Sequence, residues 1–158
     1  MSQVFACEFP DDYWFDVERD VWMVLQPSGR VRLGMTDPAQ TRAGKIVYVR
    51  AKSGKRCAVG KSIATIESAK WVGPFPAPFA GVVTAVNDEV LQDPNWINRD
   101  PYGRGWIAEM VAAADGWQGD AVRGEDAAGI YRQKLRDEGL TCMRCAPDAG
   151  EDIPERGE

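Results

Sequence analysis

Lys70 is the residue whose surroundings in this sequence best fit it for chemistry. It lies in a short polar link between two segments with strand character. Residues 61–67 alternate polar and apolar side chains, as a half-buried strand does. Residues 73–81 are extended by prolines and lead into the β-branched run 82–86. A hairpin made of these two arms would hold Lys70 at or near its tip, where its amine could serve as a handle for covalent attachment.

The chain contains no histidine. It therefore has no Ser-His-Asp or Cys-His nucleophile pair, no histidine metal ligand, and no side chain that ordinarily titrates near neutral pH. A lysine or a carboxylate with a shifted pKa could still act as a base. We nevertheless expect a non-catalytic protein without a metal site.

Length and charge narrow the range of functions further. With 158 residues and a net charge of −5, the chain fits one domain plus a tail. Residues 1–111 carry 13 basic and 13 acidic side chains, whereas residues 112–158 carry 6 and 11. Nothing in this balance marks a nucleic-acid binder. The absence of a secretory segment and of a long apolar run predicts a cytoplasmic protein without membrane insertion.

Short strands separated by glycine-bearing turns predict a mainly β fold, either a small sandwich or a flattened barrel. Residues 36–44 have the residue types of a brief helix, with Thr36 or Asp37 as N-cap, Pro38 in the first turn and Gly44 as terminator. We expect an entering segment (1–12), a main domain (13–111), a helical extension (112–140), and an acidic, disordered tail with a CxxC pair (141–158).

Five segments resemble, in the same order, successive motifs of the glycine cleavage system H-protein family. They are Thr36-Asp37-Pro38-Ala39-Gln40, Gly44-Lys45-Ile46-Val47-Tyr48-Val49, Ile66-Glu67-Ser68-Ala69-Lys70, Pro78-Phe79-Ala80-Gly81-Val82-Val83-Thr84-Ala85-Val86-Asn87 and Asn98-Arg99-Asp100-Pro101-Tyr102-Gly103-Arg104-Gly105-Trp106. The resemblance implies a flattened antiparallel β-barrel sandwich of the lipoyl/biotinyl-domain type, with short helices and a C-terminal helix.

The resemblance also implies a cofactor, namely lipoic acid attached as an amide to Lys70. Glu67, Ser68 and Ala69 would then be the hairpin neighbours that a lipoate–protein ligase recognises. Biotin carriers use a similar hairpin, but their lysine lies between methionines, whereas Ala69 and Trp71 flank Lys70. Gly81 would support the site by close backbone approach, although a plain strand-entry glycine explains it equally well.

A lipoyl arm ends in a five-membered cyclic disulfide whose ring holds the C–S–S–C dihedral angle far from its relaxed value. Such a disulfide is readily reduced and readily attacked by thiolates. The arm could therefore accept electrons or carry a group, while the protein supplies placement. The chain would be a carrier of a covalently bound cofactor and not an enzyme.

Two pathways could use such an arm, and the sequence leaves both possible. One is sulfur oxidation, in which lipoate-binding proteins similar to H proteins pass sulfur-containing intermediates to or from a heterodisulfide-reductase-like complex, with sulfurtransferases as further partners. The alternative is glycine cleavage, in which an H protein carries an aminomethyl group between a glycine decarboxylase and an aminomethyltransferase and is reoxidised by dihydrolipoyl dehydrogenase.

Departures from the family pattern favour the sulfur pathway. The usual His-Glu-Trp segment is Asp12-Tyr13-Trp14, the usual Gly-Asp is Gly44-Lys45, and the usual acidic Val-Glu-Leu-Pro is Val49-Arg50-Ala51-Lys52. Changed charges on a docking surface indicate a changed partner. The residues after the lysine, Trp71-Val72-Gly73-Pro74, also resemble that branch. Ordinary drift on a solvated face would explain the same changes and leave glycine cleavage intact.

The cysteines allow a third hypothesis. Cys142 and Cys145 form a CxxC pair that could exchange with the lipoyl disulfide, and Arg144 would favour a thiolate. The simpler interpretation is two thiols on an acidic tail. A single CxxC pair without histidines is weak evidence for zinc. Cys7 and Cys57 are expected to be isolated thiols in a reducing compartment.

Overall fold

The structure is a computed structural model that describes residues 1–144. The strands are β1 (Ser2–Val4), β2 (Cys7–Phe9), β3 (Trp14–Asp16), β4 (Val21–Leu25), β5 (Val31–Met35), β6 (Ile46–Ala51), β7 (Arg56–Cys57), β8 (Ser62–Ser68), β9 (Val72–Pro76), β10 (Gly81–Val86), β11 (Ala108–Ala112) and β12 (Val122–Arg123). The helices are α1 (Asp37–Ala43), α2 (Asp88–Gln92), α3 (Trp96–Arg99) and α4 (Gly124–Glu138). The predicted mainly β class with short helices and a C-terminal helix is confirmed.

Two antiparallel sheets enclose the main core. The large sheet has the strand order β12-β3-β4-β5-β11-β10-β7, and the small sheet has the order β6-β8-β9. Leu33 and Val83 of the large sheet share one apolar cluster with Ile66 and Phe75 of the small sheet. In the described part of the chain β6 and β9 are the edges of the small sheet, so the sandwich does not close. The barrel in the prediction is corrected to an open sandwich.

The hairpin that carries Lys70 differs from the prediction in its second arm. β8 pairs with β9, and Glu67 lies opposite Val72. The β-branched run predicted to complete that arm is β10, which belongs to the large sheet. A strand with Pro74 and Pro76 can serve as the returning arm because β9 is an edge strand, where missing backbone N–H donors are tolerated.

The capping signals predicted for residues 36–44 are present in α1. The Thr36 hydroxyl accepts the Ala39 N–H at 3.3 Å at the start of α1, and Gly44 ends the helix with φ +78°. Helix α4 ends at Gly139, a left-handed residue with φ +65°. The apolar side of α4 packs on β1–β3. No helix within residues 1–144 is long and apolar enough to span a membrane.

The first residues are more ordered than an entering segment requires. β1 and β2 form a hairpin that packs against α4. Phe9 of this hairpin stacks on Tyr131 of α4, with ring centroids 4.9 Å apart. Both rings belong to a second apolar cluster under α4, together with Phe15 and Trp22. The N-terminal hairpin and the C-terminal helix therefore share a core of their own.

A disulfide joins Cys7 of β2 to Cys142 beyond α4, with Cα atoms 4.8 Å apart. The expectation that Cys7 is an isolated thiol is therefore wrong, because the packing of α4 on the hairpin brings together two cysteines 135 positions apart. Cys57 is free and buried, as expected. Cys145 lies outside the described residues, so a Cys142–Cys145 pair stays a prediction, and in this structure the Cys142 sulfur is bonded to Cys7.

Breaking this disulfide should destabilise the protein. Because it closes a loop of more than a hundred residues, we expect reduction to lower the free energy of unfolding by about 2–4 kcal/mol. Urea unfolding of the native protein with and without reductant measures this change. The double variant Cys7→Ala/Cys142→Ala is the control, because reductant should leave it unchanged. Equal stability of the oxidised and reduced native protein, or a Cys142–Cys145 linkage in a non-reducing peptide map, would contradict the assignment.

Candidate functional site

Lys70 lies at the tip of the β8–β9 hairpin, in a two-residue link closed by backbone hydrogen bonding. The Ser68 N–H donates to the Trp71 carbonyl at 2.7 Å. Ala69 and Lys70 lie between these residues and are exposed. A link this short leaves the lysine no position within the sheet. The sequence therefore placed the residue correctly at the tip.

The three predicted neighbours of Lys70 have different positions. Ser68 is buried, and its hydroxyl accepts the Lys70 N–H at 3.4 Å. Glu67 is exposed and lies between Tyr48 and Val72 across the small sheet. Ser68 therefore shapes the turn, whereas Glu67, Ala69 and Lys70 are accessible to an enzyme that approaches the tip.

A cleft of about 450 Å³ lies directly beside the hairpin tip. One group of lining residues is mainly apolar and comes from β5, α1, β8 and β9 with the adjoining turn, and a second group is polar. The apolar group comprises Met35, Ala39, Ala43, Ile66, Trp71, Pro74, Phe75 and Pro76. The polar group comprises Arg19, Asp20 and Arg42, and Lys70 itself completes the wall.

Gly44, the residue that ends α1, borders the Lys70 side chain. A Cβ atom at position 44 would lie 3.1 Å from the Lys70 Cε, a tight contact that the lysine would relieve by shifting its side chain. The φ of +78° independently favours glycine there. The end of α1 and the hairpin tip are therefore in contact across the mouth of the cleft.

Asn98 of α3 fixes the junction between α1 and β6. Its Nδ2 donates to the Gly44 carbonyl at 2.7 Å and to Gln40 Oε1 at 3.1 Å, and its Oδ1 accepts the Ile46 N–H at 2.8 Å. The side chain is fully buried. Because both ends of the amide are used, α1 and the small sheet are held in one relative position.

Two polar residues that line the cleft, Asp20 and Arg42, form hydrogen bonds with α4. Asp20 accepts from the Tyr131 hydroxyl at 2.6 Å and from Arg42 at 2.8 Å, and it holds φ at +58°, a left-handed conformation. Arg42 also donates twice to the Glu138 carboxylate, at 2.9 and 3.0 Å. α4 therefore positions two of the polar groups that line the cleft.

The surroundings of Tyr131 and Arg42 raise the pKa values of both side chains. Burial is the main cause that raises the pKa of Tyr131 well above its ordinary value, and the Asp20 carboxylate adds to it. Burial lowers the pKa of Arg42, but the hydrogen bonds and charges of Glu138 and Asp20 outweigh it and raise the pKa overall. Tyr131 therefore remains a donor and Arg42 a cation at neutral pH.

Gly81 supports a different part of the molecule from the one expected. It opens β10 in the large sheet and pairs with Cys57 and Ala112. A Cβ atom there would overlap the Val111 carbonyl oxygen of β11. The close backbone approach exists, but it joins β10 to β11 and does not involve the turn that holds Lys70.

Four residues that shape the site went unnoticed in the sequence as site residues. Gly44 and Asn98 lie inside the motifs that carried the resemblance, so their positions were marked without their roles. Asp20 and Arg42 carried no signal, because their contacts join segments that are far apart in the chain.

We compared the chain with families, sequences and structures of known proteins. A family model described as glycine cleavage H-protein matches residues 13–131. The chain belongs to the glycine cleavage H-protein family. It is 38% identical over 145 residues to glycine cleavage system H protein 3 of Aquifex aeolicus, covering 89% of this chain and 90% of that protein. It is 40% identical over 141 residues to the probable glycine cleavage system H protein 2 of Sulfolobus acidocaldarius, covering 87% and 95%.

A crystal structure of the H protein from Mycobacterium marinum has the same fold. The TM-score is 0.67 at 29% sequence identity, and the match covers 83% of this chain and 99% of that one. H proteins are non-catalytic carriers of lipoic acid bound covalently to a lysine. The residues at the hairpin fit such a group, since an exposed amine stands beside a cleft whose apolar walls can cover an aliphatic arm.

Proposed function

We propose that Lys70 is the lipoylated residue and that the protein carries cargo between enzymes on the resulting arm. The observation that supports this most is the exposed Lys70 amine at a hairpin tip that adjoins an apolar cleft. The bound group would supply a reducible cyclic disulfide, and the chain supplies its placement. The Cys142/Cys145 redox alternative is less well supported, because the Cys142 sulfur is bonded to Cys7 and is buried.

Different residues around Lys70 determine where an attached lipoyl arm can lie. The closed turn at Ser68 holds Lys70 at the exposed tip beside the cleft, so that an attached arm can reach solvent and a docked enzyme. Amide formation removes the lysine charge, and an uncharged aliphatic arm can lie against Ile66, Ala43 and Phe75 without a desolvation cost for an ammonium group. We infer two positions for the arm, one extended and one shielded in the cleft.

Lipoylation should depend on Lys70 and on no other lysine. We expect protein from its native host, or co-expressed with a lipoate–protein ligase, to gain the mass of one lipoyl group, and the Lys70→Arg variant to gain none. Lys61→Arg is the matched control, because Lys61 is an exposed lysine at the start of the β8 region, and it should be modified like the native protein. Full modification of Lys70→Arg, or an unmodified native protein from its host, would refute the site.

Aminomethyl carriage in glycine cleavage is the role that the family match supports. The partners would be glycine decarboxylase, aminomethyltransferase and dihydrolipoyl dehydrogenase, with a lipoate–protein ligase that attaches the arm. All of these would be met in the cytoplasm. The match along the domain, from residue 13 to residue 131, is the basis for this assignment.

Sulfur transfer to or from a heterodisulfide-reductase-like complex is the second candidate, and two observations favour it. Arg50, which replaces the glutamate of the family pattern, and Lys52, which replaces its proline, are both exposed on or just after β6, the strand that pairs with β8 of the hairpin. Three of the similar proteins, named glycine cleavage system H protein 2, 3 and 5, come from the same organism, Aquifex aeolicus. A copy beyond the one needed for glycine cleavage is free to serve another partner.

The two roles can be separated with the lipoylated protein. It is offered in parallel to a reconstituted glycine decarboxylase and to the heterodisulfide-reductase-like complex, and the rate with each is compared with that of unmodified protein. Decarboxylase activity that depends on the lipoylated chain, at rates typical of enzymes of about 1–1000 s⁻¹, supports glycine cleavage. Turnover by the reductase-like complex alone would overturn it in favour of the sulfur role.

A further inference from the structure

The charges of this protein are strongly segregated. Residues 38–87 contain eight lysines and arginines and one carboxylate, Glu67, which gives this segment a net charge of +7. The remaining residues carry 11 basic and 23 acidic side chains, a net charge of −12. The segment includes all three strands of the small sheet and Lys70 at its hairpin tip. The lipoyl-bearing part of an acidic protein is therefore cationic.

Four cations of this segment are available to a partner. Arg50, Lys52, Arg56 and Lys61 are exposed. Within residues 1–144 none of these four forms an ion pair, whereas Arg42 of the same segment and Arg32, Arg104 and Arg144 outside it do. Surface cations without an intramolecular counterion contribute an unscreened positive potential at low salt.

Exposed apolar side chains lie beside these cations. Tyr48 and Val72 are 50% and 62% exposed, and each pairs with Glu67 on the central strand β8. Arg50 lies opposite Thr65 in the next row of the same sheet. Residues directly opposite each other on one face have Cβ atoms about 5 Å apart. The Tyr48 and Val72 side chains, which flank the carboxylate of Glu67, form the apolar centre of the outer side of the small sheet near Lys70, and Arg50 lies beside them.

We propose that this cationic face, defined by Tyr48, Arg50, Lys52 and Val72, docks on an acidic protein surface at the active-site entrance of the enzyme that receives the arm. The inference rests on the proposed function, since it assumes that Lys70 carries the group to be delivered. Charged residues around an apolar centre are the usual arrangement of a protein interface, in which the charges steer the encounter and the apolar contacts hold it. Nucleic acid is a poorer partner, because the rest of the molecule is strongly acidic.

The variant Arg50→Glu/Lys52→Glu tests the charge contribution. Both variant and native proteins are lipoylated, checked by intact mass, and assayed with glycine decarboxylase and with the heterodisulfide-reductase-like complex at low and near-physiological ionic strength. With the enzyme that turns over the native protein, kcat/KM should fall about 10-fold or more at low salt, with kcat little changed. Added salt should lower the native value and leave the variant nearly unaffected.

The matched control reverses two exposed charges in the acidic part of the molecule, Arg132→Glu/Arg136→Glu on α4. It should stay within about twofold of the native kcat/KM, because rim charges far from a contact affect association little. A second pair tests the apolar centre: Val72→Ser should raise KM, while Val111→Ser, which alters an exposed valine of the large sheet, should not. Equal losses in the face variants and their controls, or no loss in either, would overturn the docking face.

Failure of the proposed function gives a different result. If the mass shows no lipoyl group, or if neither enzyme turns over the native lipoylated protein, the role as a carrier in these pathways fails. The docking face, which assumes that role, is then rejected with it, whereas turnover of the native protein with equal losses in the face variants and their controls rejects the face alone. Binding of a mixed-sequence RNA by the native protein that the same variant abolishes would also overturn it, in favour of a nucleic-acid surface.

Discussion

The hydrogen bonds of the buried Asn98 side chain are the constraint on which the geometry of the site depends. They join the last turn of α1 and Gly44 to the first residue of β6. α1 is one wall of the cleft, and Gly44 touches Lys70. An amide is the side chain that suits this position, because it must donate at one end and accept at the other. Without the Asn98 amide, α1 and Gly44 would not be held in a fixed position relative to the small sheet and its hairpin tip.

The rest of the fold divides into a carrier part and a supporting part. The small sheet presents Lys70, and the large sheet closes the core behind it. The N-terminal hairpin and α4 share a second core, joined covalently through Cys7 and Cys142. α4 also reaches the cleft, since Tyr131 and Glu138 hold Asp20 and Arg42. The C-terminal helix is therefore a structural part of the site, although it lies far from Lys70 in the sequence.

Local signals predicted local structure well. The cap at Thr36, the terminator at Gly44 and the tip position of Lys70 all follow from residues within a few positions of one another. Such features need only backbone preferences and nearby hydrogen bonds. The family resemblance then supplied the class of cofactor, which no periodicity or spacing could have named.

Contacts between residues far apart in the chain could not be predicted from the sequence. Nothing near Cys7 or Cys142 indicates that they pair, because the packing of α4 on the N-terminal hairpin decides it. The choice of β9 and not β10 as the partner of β8 likewise depends on which sheet each strand joins. Asp20 became a cleft residue through a turn with positive φ and contacts from Arg42 and Tyr131. A single sequence does not show which residues far apart in the chain will be in contact in the folded protein.

The central claim is that the hairpin lysine and the adjoining cleft form one site, and methyl NMR of the protein before and after lipoylation tests it most directly. The account predicts that attachment at Lys70 shifts the methyl resonances of Ala39, Ala43 and Ile66, which line the cleft, in addition to the signals of the hairpin turn. Methyl groups of Val111 and Leu25, exposed elsewhere, should not move. Shifts confined to residues 69–71 would contradict the account, because the arm would then not enter the cleft.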